Sequence, residues 1–245
     1  MDKFLYVAMS GAKETLRAQT ANSHNLANAS TNGFRADLSA FQSRAVVGSG
    51  YASRVYAQNS TTGWDQSVGA QMFTGRDLDV AIQGDGFIAV QARDGKEAYT
   101  RAGDLIVDAN GQLMTKTGLP VLGDGGPVSI PPNNSLAIAP DGSISIVPQG
   151  QGAETTATIG RIKTVNPGNA QLDRGEDGLF RMRDGSDAPA DANVRLASGA
   201  LEASNVNAAA SMVNMIELAR NFELQIKAIK TAEDNGAASS QLLRT

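Results

Sequence analysis

The sequence has no cysteine and a single histidine, His24. The first absence excludes disulfides, thiolate nucleophiles, cysteine-ligated zinc and iron–sulfur clusters. The second removes nearly every histidine-based triad, metal site or proton shuttle, because each needs further imidazoles or positioned partners. Basic runs are missing too: 21 Lys plus Arg stand against 25 Asp plus Glu, a net charge of −4, so nucleic acid is not an expected partner. No stretch approaches the roughly 18 consecutive apolar residues of a membrane span, and no stable membrane insertion is expected. Residues 1–10 carry one lysine and a short apolar patch without a long apolar stretch before a small-residue cleavage site, so a cleaved secretory signal is not expected either. What remains is ordinary globular composition, 41% hydrophobic and 19% charged over 245 residues, enough for one main domain with an accessory element.

The pattern is helical at both ends and strand-like between them. Leu5, Met9, Ala12, Leu16, Gln19, Ser23 and Leu26 follow steps of four and three, a heptad seam on a helix from residue 3 to about 28. The run Asn28-Ala29-Ser30-Thr31-Asn32-Gly33 then supplies residues that tolerate the left-handed conformation in which helices stop. Near the other end Ala209, Met212, Ile216, Ala219, Glu223 and Ile226 form one seam, and Met215, Leu218, Phe222 and Ile229 form the next one round. A helix this broadly apolar is not stable alone in water and needs neighbours on more than one side. Ser204 or Asn205 is the expected N-cap, with Asn207 as a further candidate, and Asn235-Gly236 reads as a break before a last short helix ending at Leu242-Leu243.

Between the helices the period is two. Residues 78–82 alternate, Gly84-Asp85-Gly86 turns and residues 87–90 form the next strand, with a hairpin tip at 93–96. Hairpins recur around Asp108-Ala109-Asn110-Gly111 and Asp141-Gly142, with further strands at 159–165 and 179–182. An antiparallel sheet or distorted barrel from about 74 to 197 is expected. The stretch 45–72 is rich in Gly, Ser, Thr, Gln and Asn, with aromatics at Tyr51, Tyr56 and Trp64. It reads as an extended connector that orders by packing on something.

Chemical motifs fail on inspection. Gly84-Asp85-Gly86 is followed by Ala89 and a strand, so it is a tight turn rather than a dinucleotide loop. The acidic turns at Asp108 and Asp141 lack the ligand series of a calcium loop. Glu176-Asp177 lies in a glycine-flanked turn, where solvation outweighs a general-acid pair. No catalytic residue, cofactor or metal site is expected, and the chain is not expected to be an enzyme.

The distinctive residues are at the ends. Asn25-Leu26-Ala27-Asn28 followed by Thr31-Asn32-Gly33-Phe34-Arg35, and Ser204-Asn205-Val206-Asn207 leading into Met212-Val213-Asn214-Met215-Ile216-Glu217, resemble the terminal signatures of the bacterial flagellar rod and hook proteins. Residues 76–87 and Tyr99-Thr100-Arg101-Ala102-Gly103 resemble the β domain of that family, so the resemblance covers nearly the whole chain. The opening Met1-Asp2-Lys3, Gly125-Gly126-Pro127-Val128, Asp177-Gly178-Leu179-Phe180-Arg181 and the closing Gln241-Leu242-Leu243-Arg244 point to the proximal rod branch, with the distal rod as alternative. One departure is the uncharged first turn Ala208-Ala209-Ala210-Ser211, where many relatives carry an acid.

The resemblance implies an α+β protein in which the two terminal helices pair into a coiled-coil-like rod core, with a mainly antiparallel β domain, a distorted barrel or sandwich, outside it. The expected division is 1–35 with 203–245 as the helical domain, 36–73 as the connector and 74–202 as the β-rich domain. Subunit contacts are expected at Leu5, Met9, Leu16, Asn25, Leu26, Asn28, Gly33, Phe34, Ser204, Asn205, Val206, Asn207, Met212, Met215, Ile216, Phe222 and Ile226. Partners would be copies of the chain, other rod proteins and, in transit, the flagellar type III export apparatus. A periplasmic hydrolase and a secreted binding module exposing Trp64 and Tyr51 are the rival classes. A contact that does not close a ring generates a helical array, the geometry of a rod.

Overall fold

The computed structural model describes residues 4–45, 55–150, 155–168 and 171–242. Tyr51 and the closing residues from Leu243 lie outside them. Two compact units are present: residues 1–29, 35–65 and 206–245 form the first, and 30–34 with 66–205 form the second.

In the first unit, helix α1 spans Phe4–Ala27 and helix α2 spans Ala208–Leu242. At ~1.5 Å per residue these are about 36 and 52 Å long. Between them in sequence, strands β1 (Asp37–Ala45) and β2 (Val55–Trp64) pair as an antiparallel ribbon, with Asp37 opposite Trp64 and Ala45 opposite Val55 and a register shift at Leu38/Ser39. Much of the compositional connector is therefore a β-ribbon. It leans on α1, where the Asn59 N–H donates to the Glu14 carboxylate at 3.1 Å.

Helix α2 runs without interruption through Asn235-Gly236, which corrects the expected break. Gly236 does not take positive φ. A helical glycine costs only about 1 kcal/mol relative to alanine, less than it takes to stop a helix. The N-cap is also corrected: the Asn207 side-chain oxygen accepts from the Ala210 N–H at 3.1 Å, and its carbonyl accepts from Ser211. Asn207, rather than Ser204 or Asn205, satisfies the orphan donors of a first turn that holds no acid.

The second unit is a stack of short antiparallel sheets. The widest has five strands in the order Thr164–Val165, Phe87–Gln91, Glu97–Thr100, Phe180–Met182, Leu172–Arg174. A three-stranded sheet combines Asn133–Ile138, Ser143–Pro148 and Ala157–Arg161. Among the described residues no sheet closes on itself, so the region is antiparallel β without a barrel. The hairpins at 93–96, Asp108–Gly111 and Asp141–Gly142 form where the turn residues placed them. Asp108 shows how: its Oδ1 accepts from the N–H groups of Asn110 and Gln112.

Gly84-Asp85-Gly86 differs. Val80–Gln83 pairs with Arg195–Ser198, whereas Phe87–Gln91 pairs with Glu97–Thr100 and Thr164–Val165. The turn therefore carries the chain from one sheet to another instead of closing a hairpin. Its glycines sit at φ 80° and 131°, and a Cβ on Gly86 would come within 2.8 Å of Val194. The core joins both sheets through Val80, Ile82, Ile88, Val90, Leu105, Leu113, Ile144, Ile146, Ile162 and Leu196, all essentially solvent-free. Ile144→Ala would leave a cavity there, and urea unfolding should show a loss of about 2–5 kcal/mol.

Candidate assembly site

The residues singled out at the two ends fall into a helical group and a strap. In the helical group α1 lies along α2, antiparallel: the Asn22 amide donates to the Ser211 carbonyl at 2.7 Å, Asn214 donates to Asn22, and a Cβ on Gly11 would meet the Gln225 side chain at 3.0 Å. The face that α1 turns to α2 is made of small residues. Ala8, Gly11, Thr15, Ala18 and Asn22 follow heptad steps, with Ala12 beside them, and all but half-buried Gly11 are buried. The facing seam of α2 carries Ser211, Met215, Leu218, Phe222, Gln225 and Ile229; Leu218 is buried and the others are half-buried.

On α1 the seam richest in large apolar residues therefore faces away from the internal pair, and α2 carries a second apolar seam beside the one turned to α1. On α1, Met9 and Leu16 are exposed and Leu5 and Leu26 half-buried; on α2, Met212, Ile216 and Ile226 are exposed. Of the predicted contact residues on the helices, Met215 and Phe222 lie on the seam turned to the partner helix. Tyr6, Val213 and Leu224, which sequence reasoning passed over, extend the exposed apolar surface.

At its C-terminal end α1 is tied to β1. Asn25 clamps the Asp37 backbone, accepting from its N–H at 2.8 Å and donating to its carbonyl at 2.9 Å, and the His24 Nδ1 lies 2.7 Å from the Asp37 carboxylate. Asn28 donates to the His24 carbonyl at 2.9 Å, satisfying one of the orphan acceptors of the last turn. The amides read as caps thus do two jobs, one ending the helix and the other fixing where the ribbon begins.

The strap is the five-residue segment 30–34 of the second unit. The Gly33 N–H donates to the Glu202 carbonyl at 2.8 Å, and the Phe34 carbonyl accepts from Asn205 at 3.3 Å. Phe34 is buried under the Arg174 guanidinium, 4.4 Å from its ring centre. Asn205 also donates to the Ser67 carbonyl at 3.0 Å. Ser204 and Val206 flank it, half-buried.

Beneath the strap lies an ion pair whose role the sequence did not reveal. Arg101 and Glu202 are 3% and 1% exposed, and Arg101 Nε donates to the Glu202 carboxylate at 2.8 Å. The guanidinium's other nitrogens donate to the carbonyls of Gly86 and Gly84 at 2.8 and 2.7 Å, and the second Glu202 oxygen accepts from the Gly69 N–H at 3.0 Å. Every charge is answered, the condition under which a buried pair is tolerated. A lone acid after the apolar Ala200-Leu201 was the available signal.

Gly33 has φ 69°, and a Cβ there would lie 2.3 Å from the Arg101 carbonyl carbon. Gly75 has φ 72° with open space around it. Gly75→Ala should therefore cost only the left-handed strain, about 1–2 kcal/mol. Gly33→Ala should cost clearly more, and parallel urea melts of the two variants measure the difference.

No group of three or more His, Cys, Asp or Glu side chains that could hold a metal is found among the described residues. Comparison with known proteins agrees with the arrangement of the two ends. Residues 5–35 match the family model described as flagella basal body rod protein, 81–146 that of the flagellar hook protein FlgE/F/G D1 domain, and 197–242 that of the flagellar basal body rod FlgEFG protein C-terminal. The flagellar basal-body rod protein FlgF of Escherichia coli K12 is 45% identical over 99% of both chains, and that of Salmonella typhimurium 43% identical over 99% of both. The rod protein FlgG of Buchnera aphidicola from Schizaphis graminum is 32% identical, covering 94% of this chain and 97% of its own. Matched end to end at this identity, with the three family models falling on its first helix, its β unit and its last helix, the chain belongs to the flagellar basal-body rod proteins, in their FlgF branch.

Proposed function

We propose that this structural rod subunit joins its neighbours through its two terminal helices, pairing them in coiled-coil fashion into a tube that spans the periplasm and carries torque from the motor outward. The observation that carries this is the apolar surface left open on both helices: Met9 and Leu16 on α1, and Met212, Val213, Ile216 and Leu224 on α2. Exposed apolar surface of this extent, arranged at heptad spacing, marks an interaction face. The higher identity to FlgF proteins of the enteric bacteria than to FlgG proteins supports a place in the proximal rod. Its partners are other rod components and copies of itself. Passage through the flagellar type III apparatus is the export route that suits a cysteine-free chain.

Two measurements test it. Deleting the residues after Ala210 removes all but the first turn of α2; the shortened chain should be absent from isolated basal bodies and its strain non-motile, and normal incorporation would overturn the proposal. In dilute monomer the helices have no neighbours, so amides of α1 and α2 should exchange with solvent far faster than those of Phe87–Gln91. Equal protection would show that the pair is self-sufficient.

A further inference from the structure

The motif Asp177-Gly178-Leu179-Phe180-Arg181 forms the turn and second strand of the hairpin that joins Leu172–Arg174 to Phe180–Met182. Arg181 donates to both Asp177 oxygens, at 2.9 and 2.6 Å, and Asp177 Oδ1 accepts from the Leu179 N–H at 3.2 Å, which closes the turn. Arg174 is paired with Phe180 across the hairpin, so the two side chains share a face. There the Arg174 guanidinium carbon lies 4.4 Å from the ring centre of Phe34 and 5.9 Å from that of Phe180. Phe180 meets Phe87 at 5.0 Å between ring centres, and Arg101 lies 5.8 Å from the centre of Phe87. Arg101 is bound to Glu202, whose carbonyl takes the Gly33 N–H. The contacts leave Phe34 and return to its neighbour, a closed circuit inside the second unit.

We propose that this hairpin is a clasp for Phe34 that keeps the strap docked on the second unit whether or not α1 is folded, a property of the free chain that stands apart from the rod-subunit function. The strap's anchors belong to its own unit. Asn32 donates to the Asp104 carboxylate at 3.4 Å, Gly33 lies against the Arg101–Ala102 peptide, and the Phe34 carbonyl accepts from the Asn205 N–H at 3.3 Å. These anchors need nothing from α1. Phe34, Phe87 and Phe180 are buried, and a cation on an aromatic face is held more strongly where water is excluded. Arg suits the place better than Lys, because a planar guanidinium stacks on a ring. Asp177 and Arg181 act at one remove: they hold the turn, and the turn positions Arg174 and Phe180. The N-terminal signature is thereby divided, its helical part ordering with α1 and its Gly33-Phe34 part with the β strands.

The reporter is the Gly33 amide, followed by hydrogen exchange in dilute full-length monomer, with the amides of Phe87–Gln91 as the measure of the intact unit. Ala18→Pro breaks α1 and should leave Gly33 exchange unchanged. Phe34→Ala and Arg174→Met should each speed it about tenfold or more, as expected on losing a desolvated cation–π contact, and Arg174→Lys should speed it less than Arg174→Met. Phe87–Gln91 should keep its rates throughout. Faster Gly33 exchange in Ala18→Pro, no change in Phe34→Ala, or equal rates in the Lys and Met variants would each overturn the clasp. Parallel loss of protection at Phe87–Gln91 in Phe34→Ala would overturn it too, because the strap would then be part of the core rather than a segment docked on it. Fluorinated phenylalanine at position 34 reads the same contact with the ring size nearly kept. Mono-, di- and trifluorinated rings have a progressively less negative face, so Gly33 exchange should rise along the series; a flat series would refute the cation's part.

Discussion

The Arg101–Glu202 pair sits where five stretches of chain converge on one buried point. Glu202 holds Arg101 and Gly69 through its carboxylate and Gly33 through its carbonyl, while Arg101 holds the carbonyls on either side of Asp85. Without it the Gly84 and Gly86 carbonyls and the Gly69 N–H would lose the partners that satisfy them. Arg serves better than Lys here because its planar fork meets three acceptors in fixed directions. The strap in turn is held through the Gly33 N–H by the Glu202 carbonyl, so part of the N-terminal signature depends on residues far along the chain.

That dependence explains what could be seen in the sequence and what could not. Hairpins at Asp108–Gly111 and Asp141–Gly142 were legible because turn chemistry is local: one carboxylate and one glycine decide the conformation. The seams of the helices were legible because period is local too. Gly84-Asp85-Gly86 was legible as a turn, but a local turn signal does not say which strand follows in the same sheet; the close approach of Val194 and the two bonds from Arg101 belong to that longer-range arrangement. The ribbon of β1 and β2 was hidden by polar composition, because its face is covered only in part and the usual alternation is absent. Asn25 stood out in sequence as part of the N-terminal signature, and its task of holding Asp37 depends on where the ribbon begins.

The helices show a complementary division of labour. Large side chains that sequence reasoning assigned to helix contacts, Met9, Leu16, Met212 and Ile216 among them, are turned outward, while the internal contact on the α1 side is left to alanine, glycine and threonine. On α1 a seam search weighted by side-chain size finds the outward face first. The inward face is found only by asking which residues leave room for a second helix to approach, as Gly11 does beside Gln225.

The small-residue face of α1 also has an entropic consequence. Ala8, Gly11, Ala12 and Ala18 have no side-chain rotamers to lose, so pairing α1 with α2 freezes little side-chain motion on one side of the contact. Its alanine methyls also add little apolar area, so most of what the pairing buries comes from Met215, Leu218, Phe222 and Ile229 of α2. The ordering cost of the pairing therefore falls mainly on α2. With little ordering cost on the α1 side of the pair, its larger apolar side chains, Met9 and Leu16, are left on the outward face.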